Sequence, residues 1–297
     1  MSQKTILHML TPHKHVSPFD VNMAADAGFD VIVPYDAVTL GEVSDLVQDA
    51  IFSRPPKWGA STGIFIGGND AVLALDMVDA ARKALVPPFG VHIFADPSGS
   101  FTTGAAMVAL VERQLRATGR TLQDTPIAIF GATGVVAYCA AVIAALEGAR
   151  VTLVGHDGPE RVGRRSAEMQ ARFDVSVEAA DGATPAGTAR VLADTQVVLS
   201  AARAGLRVLT REALATAPSL LVAADVNAVP PSGIEGVDAG ADGVPIDGMK
   251  AVGVGALAIG NVKYRTQAGL FRRMLSSDTP LVLDFRDAFA FARGLVA

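Results

Sequence analysis

"IFGATGVVA", residues 129–137, decides how this chain is read. An apolar run precedes it, an Ala-rich run follows, and its small residues fall where a strand would turn into a helix. A phosphate-binding turn needs such residues, because backbone N–H groups at the helix start must approach a pyrophosphate while the helix lies close on its strand. Gly131, Gly134 and Ala137 make the spacing G-x-x-G-x-x-A rather than the strict G-x-G-x-x-G. A β-rich run returns at Val151 after a crossover of suitable length, which points to a dinucleotide; a plain structural corner is the alternative. The contacts expected from the turn are Gly131, Ala132, Thr133, Gly134 and Val135.

The run beginning at Arg150 ends at Gly155, where a fold that prefers NAD carries an acidic residue for the ribose hydroxyls. Here His156 and Asp157 follow, with Arg161, Arg164 and Arg165 close behind. With neither a carboxylate at the strand end nor a basic residue directly after it, the expectation is use of both NAD and NADP. His156, Asp157 and Arg161 are the expected contacts, while Arg164 and Arg165 read equally well as a solvated helix face. Two more strand ends, "LSAARAG" (199–205) and "ADVNAVPPSGIEGVD" (224–238), border the same crevice and supply Ser200, Ala201, Ala202, Asp225 and Asn227. The last two are also residues that satisfy their own turns.

Outside this stretch, short β-rich runs alternate with helical ones. "TILHML", "FDVIVP", "TGIFIG" and "GVHIFA" read as strands in the first third; "IAIF", "RVTLVG", "VSVEA", "QVVLSA" and "LLVAAD" follow after residue 126, and "LVLDF" lies near the carboxyl end. Ser17, Pro18 and Gly28 bracket one helix, and Thr39 with Glu42 forms a capping box. Strands alternating with crossover helices imply parallel sheets. The polar link "RTLQDTP" (120–126) places a domain boundary, so the expected organisation is two parallel-sheet α/β domains. Residues 1–119 with 276–297 form the first and 120–275 a Rossmann-like dinucleotide-binding domain, with the final helix folding back on the amino-terminal one.

Composition narrows the function. The 297 residues are 50% hydrophobic and 19% charged, with a formal net charge of -5, so no basic stripe invites nucleic acid or an anionic membrane. The longest apolar run falls short of a bilayer span, and the amino end lacks a secretory apolar core; the expected location is the cytoplasm. The one cysteine, Cys139, excludes an intrachain disulfide and reads as a buried structural thiol. "HKH" at 13–15 has no carboxylate or cysteine cluster beside it, and no metal site is expected. No Ser-His-Asp order, metal motif or catalytic carboxylate pair stands out, so the residues alone reach only a nucleotide-dependent oxidoreductase.

Several further segments carry a resemblance. "ILHMLTPHKHVSPFDVNMAADAGFD", "FIGGNDAVLALDMVDAARKAL", "DPSGSFTTGAAMVAL", "ADVNAVPPSGIEGVD" and "GVGALAIGNVKYRTQ" resemble the NAD(P)-dependent methylene-tetrahydromethanopterin dehydrogenases of methylotrophic bacteria. The likeness runs along essentially the whole chain and is strongest to the form accepting both dinucleotides. It implies oxidation of the methylene bridge of a pterin one-carbon carrier to the methenyl form, with hydride passing to the nicotinamide, as a step in formaldehyde oxidation. It further implies a homo-oligomer, trimeric or larger. On this basis Lys263 resembles the family's active-site lysine and orients the pterin, and Asp20 either accepts hydrogen bonds from its amino-pyrimidine edge or complements a helix dipole. Ser100, Thr102 and Thr103 are expected in the cleft, with helix capping as the alternative for the threonines, and His15 is expected to border the substrate. Two rivals remain: a methylene-tetrahydrofolate dehydrogenase and a non-catalytic NAD(P)-sensing protein.

Overall fold

The computed structural model describes residues 3–297. The chain up to Thr102, with Tyr264–Phe291, forms one compact unit; Thr103–Lys263 with Ala292–Ala297 forms the other. Both are parallel-sheet α/β structures, as the alternating pattern predicts.

The first stretch of chain runs β1 (Ile6–Leu10), α1 (Pro18–Ala27), β2 (Val31–Tyr35), α2 (Val43–Phe52), β3 (Thr62–Ile66), α3 (Ala71–Lys83), β4 (His92–Ala95) and α4 (Ser100–Ala117). Next come β5 (Pro126–Phe130), α5 (Val135–Leu146), β6 (Arg150–Gly155), α6 (Glu160–Phe173), β7 (Val177–Asp181), α7 (Pro185–Leu192), β8 (Val197–Ser200), α8 (Arg211–Leu214) and β9 (Val222–Asp225). The chain closes with β10 (Asp242–Pro245), β11 (Val252–Val254), α9 (Ala256–Ser276), β12 (Val282–Leu283) and α10 (Phe285–Val296).

The first unit's five-stranded sheet has the order β12-β4-β3-β1-β2, every pair parallel. Read from β2, this is the doubly wound order 2-1-3-4-5, whose direction reverses between β1 and β3. All residues of β3 and β4 are buried, which is why these strands read as continuous apolar runs. Phe65, Phe94 and Phe271 meet with ring centroids 5.2–5.5 Å apart, Phe29 adds an edge contact to Phe271, and Phe101 meets Phe285 at 5.4 Å. Truncating one such ring to alanine costs about 3–5 kcal/mol. The sequence signals bracket α1 as expected, with Gly28 in the left-handed region at φ 116 as its C-cap. The Glu42 carboxylate accepts from the Thr39 amide at 2.8 Å and hydroxyl at 2.7 Å.

The second sheet has the order β10-β11-β9-β8-β5-β6-β7. Apart from β10 the strands are parallel in the dinucleotide-fold order 3-2-1-4-5-6, reversing between β5 and β8. The antiparallel edge strand β10 has no counterpart in the sequence reading, because "DGVP" is polar, short and ends in proline, features that suit only an edge.

The boundaries differ from those expected. The units divide inside α4 and α9, not at residues 119/120 and 275/276. The polar segment 120–126 is no loose linker: Leu122 is 1% exposed, the Asp124 amide donates to the Gly148 carbonyl, and the Arg150 amide donates to the Thr125 carbonyl. The end of α10 departs from expectation too. Phe285 through Phe291 belong to the first unit, but Arg293 belongs to the second, where it donates to Glu112 at 2.7 Å and pairs with Glu147. Among the described residues no helix is long and apolar enough to cross a membrane.

Candidate functional site

Each sheet reverses direction at one point, and each reversal carries a cavity at the carboxyl ends of its strands, where open α/β sheets bind ligands. In the second unit a cleft of about 640 Å³ lies between the turn after β5 and the loop after β8. Gly131 holds φ +72, and a Cβ there would stand 2.4 Å from the Ala202 amide nitrogen, so the fold itself demands glycine. Gly134 is different. As N-cap of α5 it has extended backbone, and a Cβ would meet nothing nearer than the Gly131 carbonyl oxygen at 3.5 Å. That unfilled space over the first turn of a helix fits the close approach of a pyrophosphate.

Of the residues expected here, Gly131, Thr133, Gly134, His156, Ala201 and Ala202 line the cleft. Ala132 does not; it is 3% exposed and packs inward, while Val135 is half-buried in the first turn of α5. Ser200 is wholly buried behind the strand end, its hydroxyl unpaired and close to where a Cβ on Gly233 would stand. Asp225 and Asn227 are also taken by the protein's own structure. Asp225 accepts from the Asn227 and Ile234 amides, both at 3.1 Å, and Asn227 accepts from the Gly205 and Val229 amides while donating to the Pro231 carbonyl. A polar residue at the edge of an apolar strand satisfies either a ligand or a long loop, and here the loop 226–234 takes it. Asp157 is exposed and accepts from Arg161 at 2.9 Å, which holds its carboxyl below the usual carboxylate range.

The sequence reading passed over Arg203, Leu206 and Arg207, which line the cleft from the loop after β8, with Gly182 and Thr188. The signal was the pair of cations in "AARAGLR", directly behind the small residues already singled out. Arg207 is paired with Glu235 at 3.3 Å.

In the first unit, a cavity of about 210 Å³ lies between the loop after β1 and the Gly67–Gly68 turn after β3. Asp20 and His15 both line it, together with His13, Thr11 and Ser98. Asp20 is 2% exposed and accepts from Gln267 Nε2 at 2.7 Å, a tie that helix-dipole complementation alone would not require. Ser100, Thr102 and Thr103 are not in its wall. Thr102 is instead fully buried, with its amide and hydroxyl both donated to Asp96 at 3.1 and 2.7 Å. Ser98 takes the cavity position, in the left-handed region at φ 52, its hydroxyl donating to the Gly68 carbonyl at 2.7 Å. Strain of this kind clusters at functional turns.

Lys263 is half-buried on α9, two turns from the helix start. That helix begins at Ala256, because "ALAIG" is helical rather than a Gly-rich lead-in. Cys139 is buried, and among the described residues no group of three or more His, Cys, Asp or Glu could hold a metal ion.

Over 97% of its length the chain is 59% identical to an NAD(P)-dependent methylenetetrahydromethanopterin dehydrogenase from Methylorubrum extorquens, 98% of which is covered. The chain belongs to that family. The family description "Methylene-tetrahydromethanopterin dehydrogenase, N-terminal" matches residues 18–98, which include Asp20 and Ser98 of the first-unit cavity. A second relative from the same organism, named bifunctional protein MdtA, is 32% identical, with 98% of this chain and 98% of that one covered. Among solved structures, shikimate 5-dehydrogenase from Listeria monocytogenes is similar with TM-score 0.50 and 14% identity, covering 99% of this chain and 96% of that one. A 5-ketofructose reductase from Gluconobacter is similar with TM-score 0.52 and 18% identity, covering 99% of each. Both likenesses concern the fold of this chain alone, two units of Rossmann-like α/β architecture.

Proposed function

We propose that this chain oxidises 5,10-methylene-tetrahydromethanopterin to the 5,10-methenyl form, passing hydride to NAD or NADP. The observation that carries the reading is the relationship to the dehydrogenase along nearly the whole of both chains. The glycine-turn cleft at the second switch point supports it. A nicotinamide dinucleotide, when bound, supplies the hydride acceptor. Loss of hydride from a carbon between two nitrogens leaves an amidinium-like cation stabilised by both lone pairs, so the redox step moves no proton and needs no acid–base pair. The residues therefore act by positioning: Gly131, Gly134, Ala201 and Ala202 give the dinucleotide backbone room, and Asp20 and His15 take the polar edge of the pterin. Lys263 orients the substrate, since a cation beside the reacting carbon would oppose methenyl formation. The reading includes a cytoplasmic homo-oligomer, trimeric or larger, which light scattering of the purified protein tests.

The deciding experiment is absorbance at 340 nm with purified protein, methylene-tetrahydromethanopterin or methylene-tetrahydrofolate as donor, and NAD or NADP as acceptor. Reduction of both dinucleotides with the methanopterin carrier is expected. Preference for the folate carrier would move the assignment to that reaction, and dinucleotide binding without turnover would make the protein a sensor. Lys263→Ala should lower kcat/KM for the carrier about tenfold, on the scale of one lost charge-assisted hydrogen bond, with dinucleotide affinity little changed.

A further inference from the structure

The cleft of the second unit does not stop at the glycine turn. Thr133, in its wall, is shared with a second pocket of about 390 Å³ whose other walls are Arg161, Arg164, Arg165 and Glu168 of α6. Three guanidinium groups against one carboxylate is an excess of positive charge beside a space already suited to a nucleotide. The three cations differ in what they hold. Arg165 is committed to Glu168 at 2.9 Å, and Arg161 to Asp157 at 2.9 Å. Arg164 is exposed and, among the described residues, has neither ion pair nor hydrogen bond. The Asp157–Arg161 pair has both side chains more than two-fifths exposed, so it is weak and easily exchanged. Asp157 follows the end of β6 by two residues, the place from which a dinucleotide fold reads the 2′ position of the adenosine ribose.

We propose that the pocket between Thr133 and Arg164 receives the 2′-phosphate of NADP, and that Asp157 and Arg161 form an exchangeable pair that lets one site take either dinucleotide. With NADP, Arg161 turns from Asp157 to join Arg164 on the phosphate, a group that guanidinium binds more strongly than it binds an exposed carboxylate. With NAD, Arg161 stays on Asp157, whose charge is thereby neutralised while an oxygen remains free to accept from the ribose hydroxyls. Dual use then comes from one cation with two available partners, and Arg164 is the residue that reads the phosphate alone. The inference rests on the second-unit cleft being the dinucleotide site.

The test is calorimetric titration of the full chain with NAD, NADP and 2′,5′-ADP. Arg164→Gln should raise the ratio of the NADP to the NAD dissociation constant about tenfold and weaken 2′,5′-ADP equally, as expected for losing one charge-assisted contact. Arg161→Gln should raise the ratio further, because Asp157 is then uncompensated beside the phosphate. Asp157→Asn should lower it about fivefold by freeing Arg161. Thermal midpoints within about 2 °C of the parent, as for surface substitutions generally, would show that Arg164→Gln leaves the fold intact. An unchanged ratio in Arg164→Gln, with both dinucleotides still bound, overturns the pocket assignment. A ratio unmoved in Asp157→Asn overturns the exchange. If the parent protein binds neither dinucleotide, the cleft reading itself fails, an outcome distinct from the other two.

Discussion

The two strand-order reversals of this molecule are built alike and finished differently. Each puts a glycine-containing turn at the carboxyl end of a buried parallel strand, Gly67–Gly68 after β3 and Gly131–Gly134 after β5. At the first, the protein's own side chains occupy the polar groups: Ser98 bonds Gly68, Asp96 takes the amide and hydroxyl of Thr102, and Gln267 bonds Asp20 around a cavity of about 210 Å³. At the second, the helix N-terminus beyond Gly134 has no side-chain cap, and arginines edge a cleft of about 640 Å³. A turn closed by its own hydrogen bonds suits a small polar edge presented in one orientation. A turn left open suits a ligand that brings its own charge.

That contrast can be broken most severely at Gly131. Gly131→Val combines a positive φ with a clash against the Ala202 backbone, and should cost about 4 kcal/mol, read as a lower urea midpoint at unchanged slope. On the closed side, Asp96→Ala strips two bonds from a fully buried acceptor set and should cost about 3 kcal/mol in the same assay. Gly134→Val separates fold from ligand. A Cβ there meets only ordinary contacts, at 3.5 Å or more, and the added methyls would fill the space over α5, so dinucleotide affinity should fall about thirtyfold, while loss of the glycine N-cap costs only about 1 kcal/mol of stability. Intact affinity in that variant would end the reading of the turn. Asp20→Ala is its counterpart in the first unit and should raise KM for the pterin carrier about tenfold with dinucleotide binding little affected.

The smallest effect concerns acid. His8 and His92 both lie in the first unit, and burial holds each below the ordinary value of 6.5. His92 shows why the neutral ring is favoured: Nδ1 accepts from the Leu281 amide at 3.0 Å, leaving Nε2–H to donate to the Ala60 carbonyl at 3.0 Å. The unfolded chain therefore binds more protons than the folded one below about pH 6.5. Stability from these rings is fully present above that pH and is lost as pH falls through the folded values. Denaturant titrations from pH 7 to 5 should show this slope, and it should flatten in His92→Gln.

Much of the fold was legible from residue order because its signals are local. Apolar runs and crossover lengths marked the strands of both sheets up to β9, and Ser17, Gly28, Thr39 and Glu42 marked helix ends at the residues where they occur. The candidate site was legible at the glycine turn, where backbone conformation demands a residue type. It was less so where a polar residue had two possible uses. Thr102, Ser200, Asp225 and Asn227 turn inward to their own unit, while Ser98, Arg203 and Arg207 face the cavities from segments whose importance was clear but whose facing residues were not.

By itself, then, the sequence determined the strands up to β9, that their crossovers make them parallel, and that the turn at 131–134 must be tight, all of which follow from periodicity and propensity within a few residues. Only the tertiary structure decided which strands are neighbours, where each sheet reverses, and hence which loop ends meet around a cavity. It also placed the unit boundaries inside α4 and α9 and gave Arg293 its partners in the second unit. These choices depend on contacts between residues far apart in the chain, where the direction a side chain faces is set by the packing of whole layers rather than by its neighbours in sequence.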